Sequence, residues 1–199
     1  MPRNRMRSIP VTLCASLLLS CSPGNPDKPA AVAAQVDDAC TVALRFTEAW
    51  LAETRSGRPL VFSDAPDATT DLPGGGPWTR MSGPGEQPPS PEMLEAAGNL
   101  SRDSAVATCP ALRAWLDRQH VPHGEKAVSE AVAEPNGIDS HRADILGLTL
   151  PVVSADGTEA LTVTSYATGP LSGVGQLFLL QRQPDGSWRA VSARHLWIS

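Results

Sequence analysis

The stretch of sequence that decides the fold is ILGLTLPVVSADGTEALTVTSYATGPLSGVGQLFLLQRQPDGSWRAVSARHLWIS, residues 145–199. From about Ile145 onward, apolar and polar residues alternate with a period of two, which is typical of strands with one buried face. The alternation is clearest between Ala160 and Ala167, where valine, threonine and tyrosine favour extended backbone. We predict an antiparallel meander of about four strands, including residues 160–167, 176–183 and 188–198.

Two Asp-Gly pairs lie between the alternating segments, Asp156-Gly157 and Asp185-Gly186. Asp-Gly is favoured in tight hairpin turns because glycine adopts a positive φ without steric cost. The Gly-rich residues 169–175, GPLSGVG, are predicted to form the connection between the second and third strands. Each strand is thus expected to pair with the next one along the chain.

The N-terminal half has a helical pattern instead. Residues 30–54 contain no glycine or proline and are rich in alanine, a composition that favours a long helix. Shorter helices are predicted from Ser90-Pro91 and from Cys109-Pro110, because proline is common at the first helical position. The apolar stripe of the long helix comprises Val36, Cys40, Ala43, Leu44, Thr47, Trp50 and Leu51.

The expected fold class is therefore α+β, with N-terminal helices packed on the C-terminal meander in a single domain over residues 30–199. Proline and glycine dominate residues 57–91, which are predicted to form a long loop after a brief strand at Leu60–Phe62. Trp78 lies inside this loop, where it either packs back onto the core or forms an exposed contact.

The first twenty residues carry three arginines and no acid, followed by an apolar run from about Ile9 to Leu19. The run is too short to span a bilayer, which needs about 20 apolar residues. A basic start, a short apolar stretch and small residues at its end are the features of a secretory leader. Residues 1–20 are therefore predicted to be a signal peptide.

The end of this leader, Leu18-Leu19-Ser20-Cys21, resembles the lipobox of bacterial lipoproteins. The resemblance implies that Cys21 is acylated, with palmitate among the attached chains, and becomes the first residue of the mature protein. Residues 21–29 would then form a proline-rich tether. Since Ser22 rather than an aspartate follows the cysteine, the lipoprotein pattern implies the outer membrane, facing the periplasm.

Once Cys14 leaves with the leader and Cys21 is acylated, two cysteines remain, Cys40 and Cys109. An even pair in an oxidising compartment favours a disulfide between them. Free thiols or part of a metal site are the alternative, but no Cys-x-x-Cys or Cys-His spacing accompanies either residue. The sequence therefore predicts a Cys40–Cys109 disulfide.

Charge and motifs exclude several classes of function. The net charge is −5 with only two lysines, which argues against nucleic acid as a partner because binding to phosphate backbones requires clustered cations. His120, His123 and Glu125 could present zinc ligands, but Pro122 interrupts the helix that would align them. Ser172 lacks the spacing of a nucleophile elbow. No metal or cofactor is expected, and an acidic solvated loop is the preferred interpretation of Asp64, Asp67 and Asp71.

The C-terminal run, residues 169–199, looks like the end of a family of uncharacterised Gram-negative envelope lipoproteins. The shared pattern is a Gly-rich turn, an apolar strand, a tryptophan after the next turn and a terminal Trp-Ile/Val-Ser. Relatives carry cysteines in the Gly-rich turn, whereas this chain has Thr168 and Ser172 nearby. The matching residues are Gly169, Leu171, Gly173, Gly175, Trp188, Trp197, Ile198 and Ser199.

We expect a non-enzymatic envelope lipoprotein that binds the membrane through Cys21 and binds an envelope protein partner. The expected contact surface comprises Gly169, Leu171, Gly173 and Gly175 together with Trp78. One alternative is a carrier of a small apolar ligand, with a pocket between the long helix and the sheet. A second alternative is an envelope hydrolase whose site is dispersed in the sequence. The pocket of the carrier would be lined by Trp50, Trp115, Tyr166 and Phe178.

Overall fold

The computed structural model describes residues 28–53, 57–65, 88–132 and 140–199, with side chains from residue 35 onward except that of Asn99. The helices are α1 (Lys28–Glu53), α2 (Pro91–Ala96, continued by a 3₁₀ turn at Ala97–Asn99), α3 (Ala105–Thr108), α4 (Pro110–Arg118) and α5 (Glu125–Val132). The strands are β1 (Leu60–Phe62), β2 (Asp144–Leu148), β3 (Val152–Val153), β4 (Glu159–Gly169), β5 (Ser172–Arg182) and β6 (Trp188–Ile198).

The strands form one mixed sheet of six strands in the order β1-β2-β4-β5-β6. All pairings from β2 to β6 are antiparallel, and β1 runs parallel to β2. β3 pairs with β4 beyond the end of β2, on the side of β4 that β5 does not occupy. The α+β fold class with a C-terminal antiparallel sheet is thereby confirmed.

One face of the sheet is covered by α1, α3 and α4. Phe46 of α1 meets Phe178 of β5 with ring centroids 5.2 Å apart, and Trp50 meets Tyr166 of β4 at 6.4 Å. Alternation along the strands brings these side chains to the same face. The buried residues of this core are Val42, Ala43, Phe46, Phe62, Ala105, Val106, Cys109, Leu112, Leu116, Leu146, Leu148, Ala160, Leu180 and Trp188.

The opposite face of the sheet has two smaller clusters. Met93 of α2 packs against the alternate residues of the central strands, Leu161, Val163, Leu177 and Leu179. The second cluster brings α5 against β1 and β2 through Ala131, Val61 and Ala143. Both faces of the sheet therefore contribute to the core, which is why β4 and β5 contain buried residues at successive positions.

Helix α1 runs in the same direction as β4. Its residue Ala39 lies near Val153 of β3, Phe46 lies on Phe178, and Trp50 lies on Tyr166 of β4. We call the end with β3 and the first half of α1 the near end, and the end with the β4–β5 hairpin turn the far end. Because α1 has 26 residues and rises about 1.5 Å per residue, its own ends are about 39 Å apart.

Local signals account for two of the predicted helix starts. Ser90 accepts a hydrogen bond from the Met93 backbone N–H, and Pro91 follows it at the start of α2. Pro110 likewise begins α4, directly after Cys109. Helix α1 begins at Lys28, two residues before the predicted start and inside the predicted tether.

The predicted connection over residues 169–175 is wrong. β5 begins at Ser172, so Gly173 and Gly175 are strand residues paired with Ala167 and Ser165 of β4. The sequence also gave no indication of helix α5 or of the parallel pairing of β1 with β2. The centre of the predicted loop, residues 66–87, lies outside the described residues.

Candidate functional site

At the far end, the Trp197 indole lies directly over two glycines of β5. A Cβ atom built on Gly175 would stand 2.0 Å from Trp197 Nε1, and one built on Gly173 would stand 3.0 Å from the ring. Any side chain at these positions would collide with the indole. Gly173 and Gly175 of the predicted contact surface therefore have a structural role, because they make room for a tryptophan more than twenty residues later.

The far end also exposes two large apolar side chains. Leu171, in the β4–β5 turn, is 81% exposed, and Ile198, next to the C-terminus, is 74% exposed. The Ser199 backbone N–H donates to Gly173 O over 3.0 Å, which brings the end of β6 to the hairpin turn. Leu171 is thus the accessible member of the predicted contact surface, and Ile198 joins it as a residue that the prediction missed. We call this pair the apolar tip.

Two hydroxyl side chains lie beside the apolar tip. Thr168 Oγ1 donates a hydrogen bond to Ser172 Oγ over 2.8 Å, across the turn. The two side chains lie side by side, so the turn is closed by a hydroxyl pair in this chain. Gly169, between them in sequence, is buried.

A polar cluster is buried at the far end, around the Tyr166 that packs on Trp50 of α1. The Asp144 carboxylate is 1% exposed, forms an ion pair with Arg58 Nε at 3.1 Å and accepts a hydrogen bond from the Tyr166 hydroxyl. Arg58 also donates to His141 O over 2.7 Å. A buried carboxylate is tolerated only when such partners replace its water. The cluster therefore joins the segment before β1 to β2 and β4.

At the near end, α1 and the strands leave a groove of about 510 Å³, which we call the α1 groove. Its floor is apolar, with Ala39 and Pro151 buried and three valines half-buried. Its rim carries Asp38 and Arg182, both exposed. The lining residues are Gln35, Val36, Asp38, Ala39, Ser101, Leu150, Pro151, Val152, Val153, Ser154, Ala155, Asp156, Gly157 and Arg182.

The rim of the α1 groove holds one charge of each sign that has no partner in the described part of the chain. Among the described residues, neither the Asp38 carboxylate nor the Arg182 guanidinium forms a hydrogen bond or ion pair. Asp156 differs, because Ser154 and Thr158 both donate hydrogen bonds to its Oδ1. Those bonds favour the ionised form, so they lower the pKa of Asp156 below its usual range.

Ser187 acts in the same way in the β5–β6 turn and lowers the pKa of Asp185. Hydrogen bonds to an ionised carboxylate stabilise the folded protein at pH values above the ordinary pKa of the group. Their contribution is lost as the pH falls through the lowered value. Both aspartates therefore remain ionised at any pH near neutrality.

A second groove of about 510 Å³ lies between the end of α4 and α5, and two histidines line it. His123 Nδ1 lies 3.3 Å from Val121 O, and its Nε2 lies 3.9 Å from Asp117 Oδ1. Glu125, the carboxylate that the sequence placed with these histidines, is not among the lining residues, whereas Glu130 is. Within the described part of the chain, no three histidine, cysteine, aspartate or glutamate residues are placed to hold a metal ion.

His120 has a conformational reason for its place at the end of α4. Its φ is +55°, and it is the one residue other than glycine with a positive φ among those described. The Val121 N–H donates to Leu116 O and the His120 N–H donates to Asp117 O, both over 3.0 Å. This is the Schellman motif that ends many helices, with the left-handed residue at the position where glycine is most common.

The remaining histidines are not brought together. His141 is buried, with its backbone N–H donating to Thr168 O over 2.8 Å, and its Nδ1 has no hydrogen-bond partner among the residues that the structure describes. His195 is an exposed residue of β6. Ser172, the remaining candidate for nucleophilic chemistry, accepts the hydrogen bond from Thr168 described above.

The two cysteines predicted to pair are joined in the structure. Cys40 of α1 and Cys109, which precedes α4, form a disulfide with a Cα–Cα distance of 5.3 Å. The bond joins the first half of α1 to α4, next to Ala39 of the α1 groove. Cys21 and Trp78 lie outside the described residues. No described helix combines the length and the apolarity that a membrane crossing requires.

The four aromatic residues predicted to line a ligand pocket pack against the main core cluster instead of surrounding the α1 groove. Trp50, Trp115, Tyr166 and Phe178 are all partly buried against that cluster. The α1 groove was missed because its lining comes from four separate segments and has no local motif. The one available signal was Arg182, an arginine in a strand that is otherwise apolar or neutral.

Comparison of the chain with protein-family models, with curated proteins and with solved structures finds no match.

Proposed function

We propose that the chain is a lipoprotein of the bacterial envelope, attached through acylated Cys21 to the outer membrane and facing the periplasm, where it acts as a non-enzymatic binding module. The observation that carries this proposal is the sequence Leu18-Leu19-Ser20-Cys21 after a basic and apolar leader. Two or more acyl chains on one residue give stable membrane attachment, because each buried CH₂ adds about 0.8 kcal/mol. The proline-rich residues that follow provide a spacer.

The position of the apolar tip supports a role in contacting another protein. Residues 22–27 separate Cys21 from α1 and reach at most about 25 Å when extended. Leu171 and Ile198 lie at the far end, beyond the Tyr166 that packs on the last turns of α1. A domain standing on its tether would therefore present these two side chains away from the bilayer, toward a partner in the periplasm.

Within the predicted contact surface, Leu171 is the described residue whose side chain is exposed. Gly173 and Gly175 accommodate Trp197, and Gly169 is buried, whereas Leu171 contributes an almost fully exposed side chain. Leu171 and Ile198 are both largely exposed at the far end, so we propose them as the apolar part of the contact. Trp78 stays in the proposed contact surface as a prediction from the sequence.

The test is capture of a partner from an envelope extract by the full-length protein and by three variants. Leu171→Asp and Ile198→Asp should each abolish recovery of a partner that the wild type captures reproducibly. Leu94→Asp is the matched control, since Leu94 is exposed on α2, away from the tip. Recovery of the same partner by both tip variants would contradict the proposed contact surface, as would its loss with Leu94→Asp.

A second candidate function, the binding of a small ligand with apolar parts, is favoured by the α1 groove. Its volume falls in the range of about 300–1,000 Å³ that small-molecule sites occupy. The groove lies between the long helix and the sheet, as the carrier hypothesis requires, but at the opposite end from the predicted aromatic residues. The apolar tip and the α1 groove could serve one protein together.

A further inference from the structure

We propose that the α1 groove binds the head group and first acyl carbons of a zwitterionic phospholipid from the bilayer to which Cys21 attaches the chain. The lipid class follows from three properties of the groove: its apolar floor, its unpaired charges of both signs, and its position along α1. The membrane as the source of the lipid rests on the proposed anchor. The affinity of the groove for the lipid does not depend on that anchor.

The rim charges select a ligand that carries both signs. Arg182 presents a planar set of N–H donors, which suits a phosphate, and it has no acidic partner among the described residues. The Asp38 carboxylate has no partner either and can accept hydrogen bonds from an ammonium group. Neither residue would have to give up a side-chain hydrogen bond or ion pair to another described residue in order to bind.

Ligands of a single sign fit the rim less well. A purely anionic head group would meet Asp38 and also Asp156, whose carboxylate is already held ionised by Ser154 and Thr158. A purely cationic head group would meet the Arg182 guanidinium. Like charges brought together oppose binding. A head group with both a phosphate and an ammonium carries one group of opposite charge for each rim residue.

The floor provides the apolar part of the site. Val36 and Ala39 come from α1, while Val152 and Val153 form β3 and Pro151 precedes them. Burial of alkyl carbons on such a surface contributes about 0.8 kcal/mol per CH₂. The head group alone would therefore bind more weakly than the same head group with short acyl chains attached.

The groove is also within reach of the membrane. Residues 35–39 begin seven residues after Lys28, which places them about 10 to 17 Å along α1 from the start of the helix. The far end and its apolar tip lie farther from the tether. Of the two sites proposed for this protein, the α1 groove is therefore the one nearer to the lipid.

The test uses the full chain with Cys21→Ser, so that no attached acyl chain competes for the groove. Dihexanoylphosphatidylethanolamine, kept below its critical micelle concentration, is titrated and followed by calorimetry and by amide shifts of residues 150–157. Arg182→Gln and Asp38→Asn should each weaken binding about tenfold, the loss expected for one charge-assisted hydrogen bond. Phosphoethanolamine without acyl chains should bind at least tenfold more weakly than the lipid.

Two neighbouring residues give matched controls. Arg189→Gln removes an exposed arginine of β6, and Asp37→Asn removes the exposed acid next to Asp38; neither residue lines the groove. Both controls should bind within twofold of the parent. Thermal unfolding curves show whether each variant is folded, and these four surface positions are expected to leave them unchanged.

The outcomes that overturn the proposal are distinct from one another. Equal affinity for dihexanoylphosphatidylglycerol would remove the role of Asp38 and of the ammonium group. Equal losses in the control variants would show non-specific binding, and protection of residues 150–157 by self-association would assign the groove to a second copy of the chain. Lipid binding with the expected residue dependence, in a chain whose Cys21 proves not to be acylated, would keep the site and reject only the membrane source.

Discussion

The two ends of α1 are attached to the rest of the domain by different means. At the near end, the Cys40–Cys109 disulfide joins the helix to α4 covalently, and an open groove with charged residues of both signs on its rim lies beside it. At the far end, attachment is non-covalent: Trp50 packs on Tyr166, and the Tyr166 hydroxyl donates to buried Asp144. The comparison teaches that one long helix can be attached covalently beside an open groove at one end and by aromatic packing over a buried ion pair at the other.

The largest effect is expected from breaking the covalent attachment at the near end. The Cys40→Ser/Cys109→Ser double variant should lose about 4 kcal/mol of unfolding free energy, because the disulfide closes a loop with a sequence separation of 69 residues. Urea denaturation followed by circular dichroism measures the loss. Reduction of the wild type should lower its stability to the same value, and an unchanged midpoint would show that non-covalent packing holds the near end.

The second effect concerns the buried carboxylate at the far end. Arg58→Met should cost about 3 kcal/mol, because Asp144 then remains buried without its cationic partner. Arg189→Met is the control, since Arg189 is exposed on β6, and its variant should be within about 0.5 kcal/mol of the wild type. Equal unfolding free energies for the two variants would mean that the Asp144 cluster does not stabilise the far end.

The third effect concerns the Trp197 packing. Gly175→Ala should cost about 2 kcal/mol, since its Cβ would overlap the indole and force Trp197 out of place. Near-ultraviolet circular dichroism should change as the indole moves. At Gly98 a Cβ would meet nothing within 4 Å, so Gly98→Ala is the matched control and should be neutral or slightly stabilising. A neutral Gly175→Ala variant would contradict the packing.

The smallest effect lies away from both ends, at the end of α4. His120→Gly should stabilise the protein by about 1 kcal/mol, because glycine adopts the left-handed conformation of this position without strain. Gln119→Gly, one residue earlier and in right-handed helical conformation, should destabilise by a similar amount. Thermal unfolding of both variants measures the contrast, and a loss of stability with His120→Gly would show that the histidine side chain itself is needed.

The parts of the fold that could be predicted from the sequence are those with local signals. The alanine-rich composition of residues 30–54 lies within the helix that it predicts. The Asp-Gly turns likewise lie between the strands that they connect. The glycines at 173 and 175 misled the prediction because glycine is typical of turns, and the reason for their presence is Trp197 on the neighbouring strand. Helix α5 was missed because it follows a segment that proline and glycine had marked as irregular.

The candidate sites show the same limit more strongly. Arg58, Asp144 and Tyr166 come from three segments, and nothing near any of them in the sequence indicates a buried ion pair. The α1 groove draws on residues 35–39, Ser101, residues 150–157 and Arg182, which only the folded sheet brings together. The cysteine pair could be predicted because counting cysteines requires no knowledge of distance.

The most direct test of the proposed function is acylation of Cys21. Cells that express the wild-type protein are labelled with radioactive palmitate, and the mass of the purified product is determined. The account predicts label in the wild type and in Cys14→Ser, no label in Cys21→Ser, and a mature chain that begins at Cys21 with its acyl chains. Label that persists in Cys21→Ser, or a wild-type product without acyl mass that begins at another residue, would contradict it.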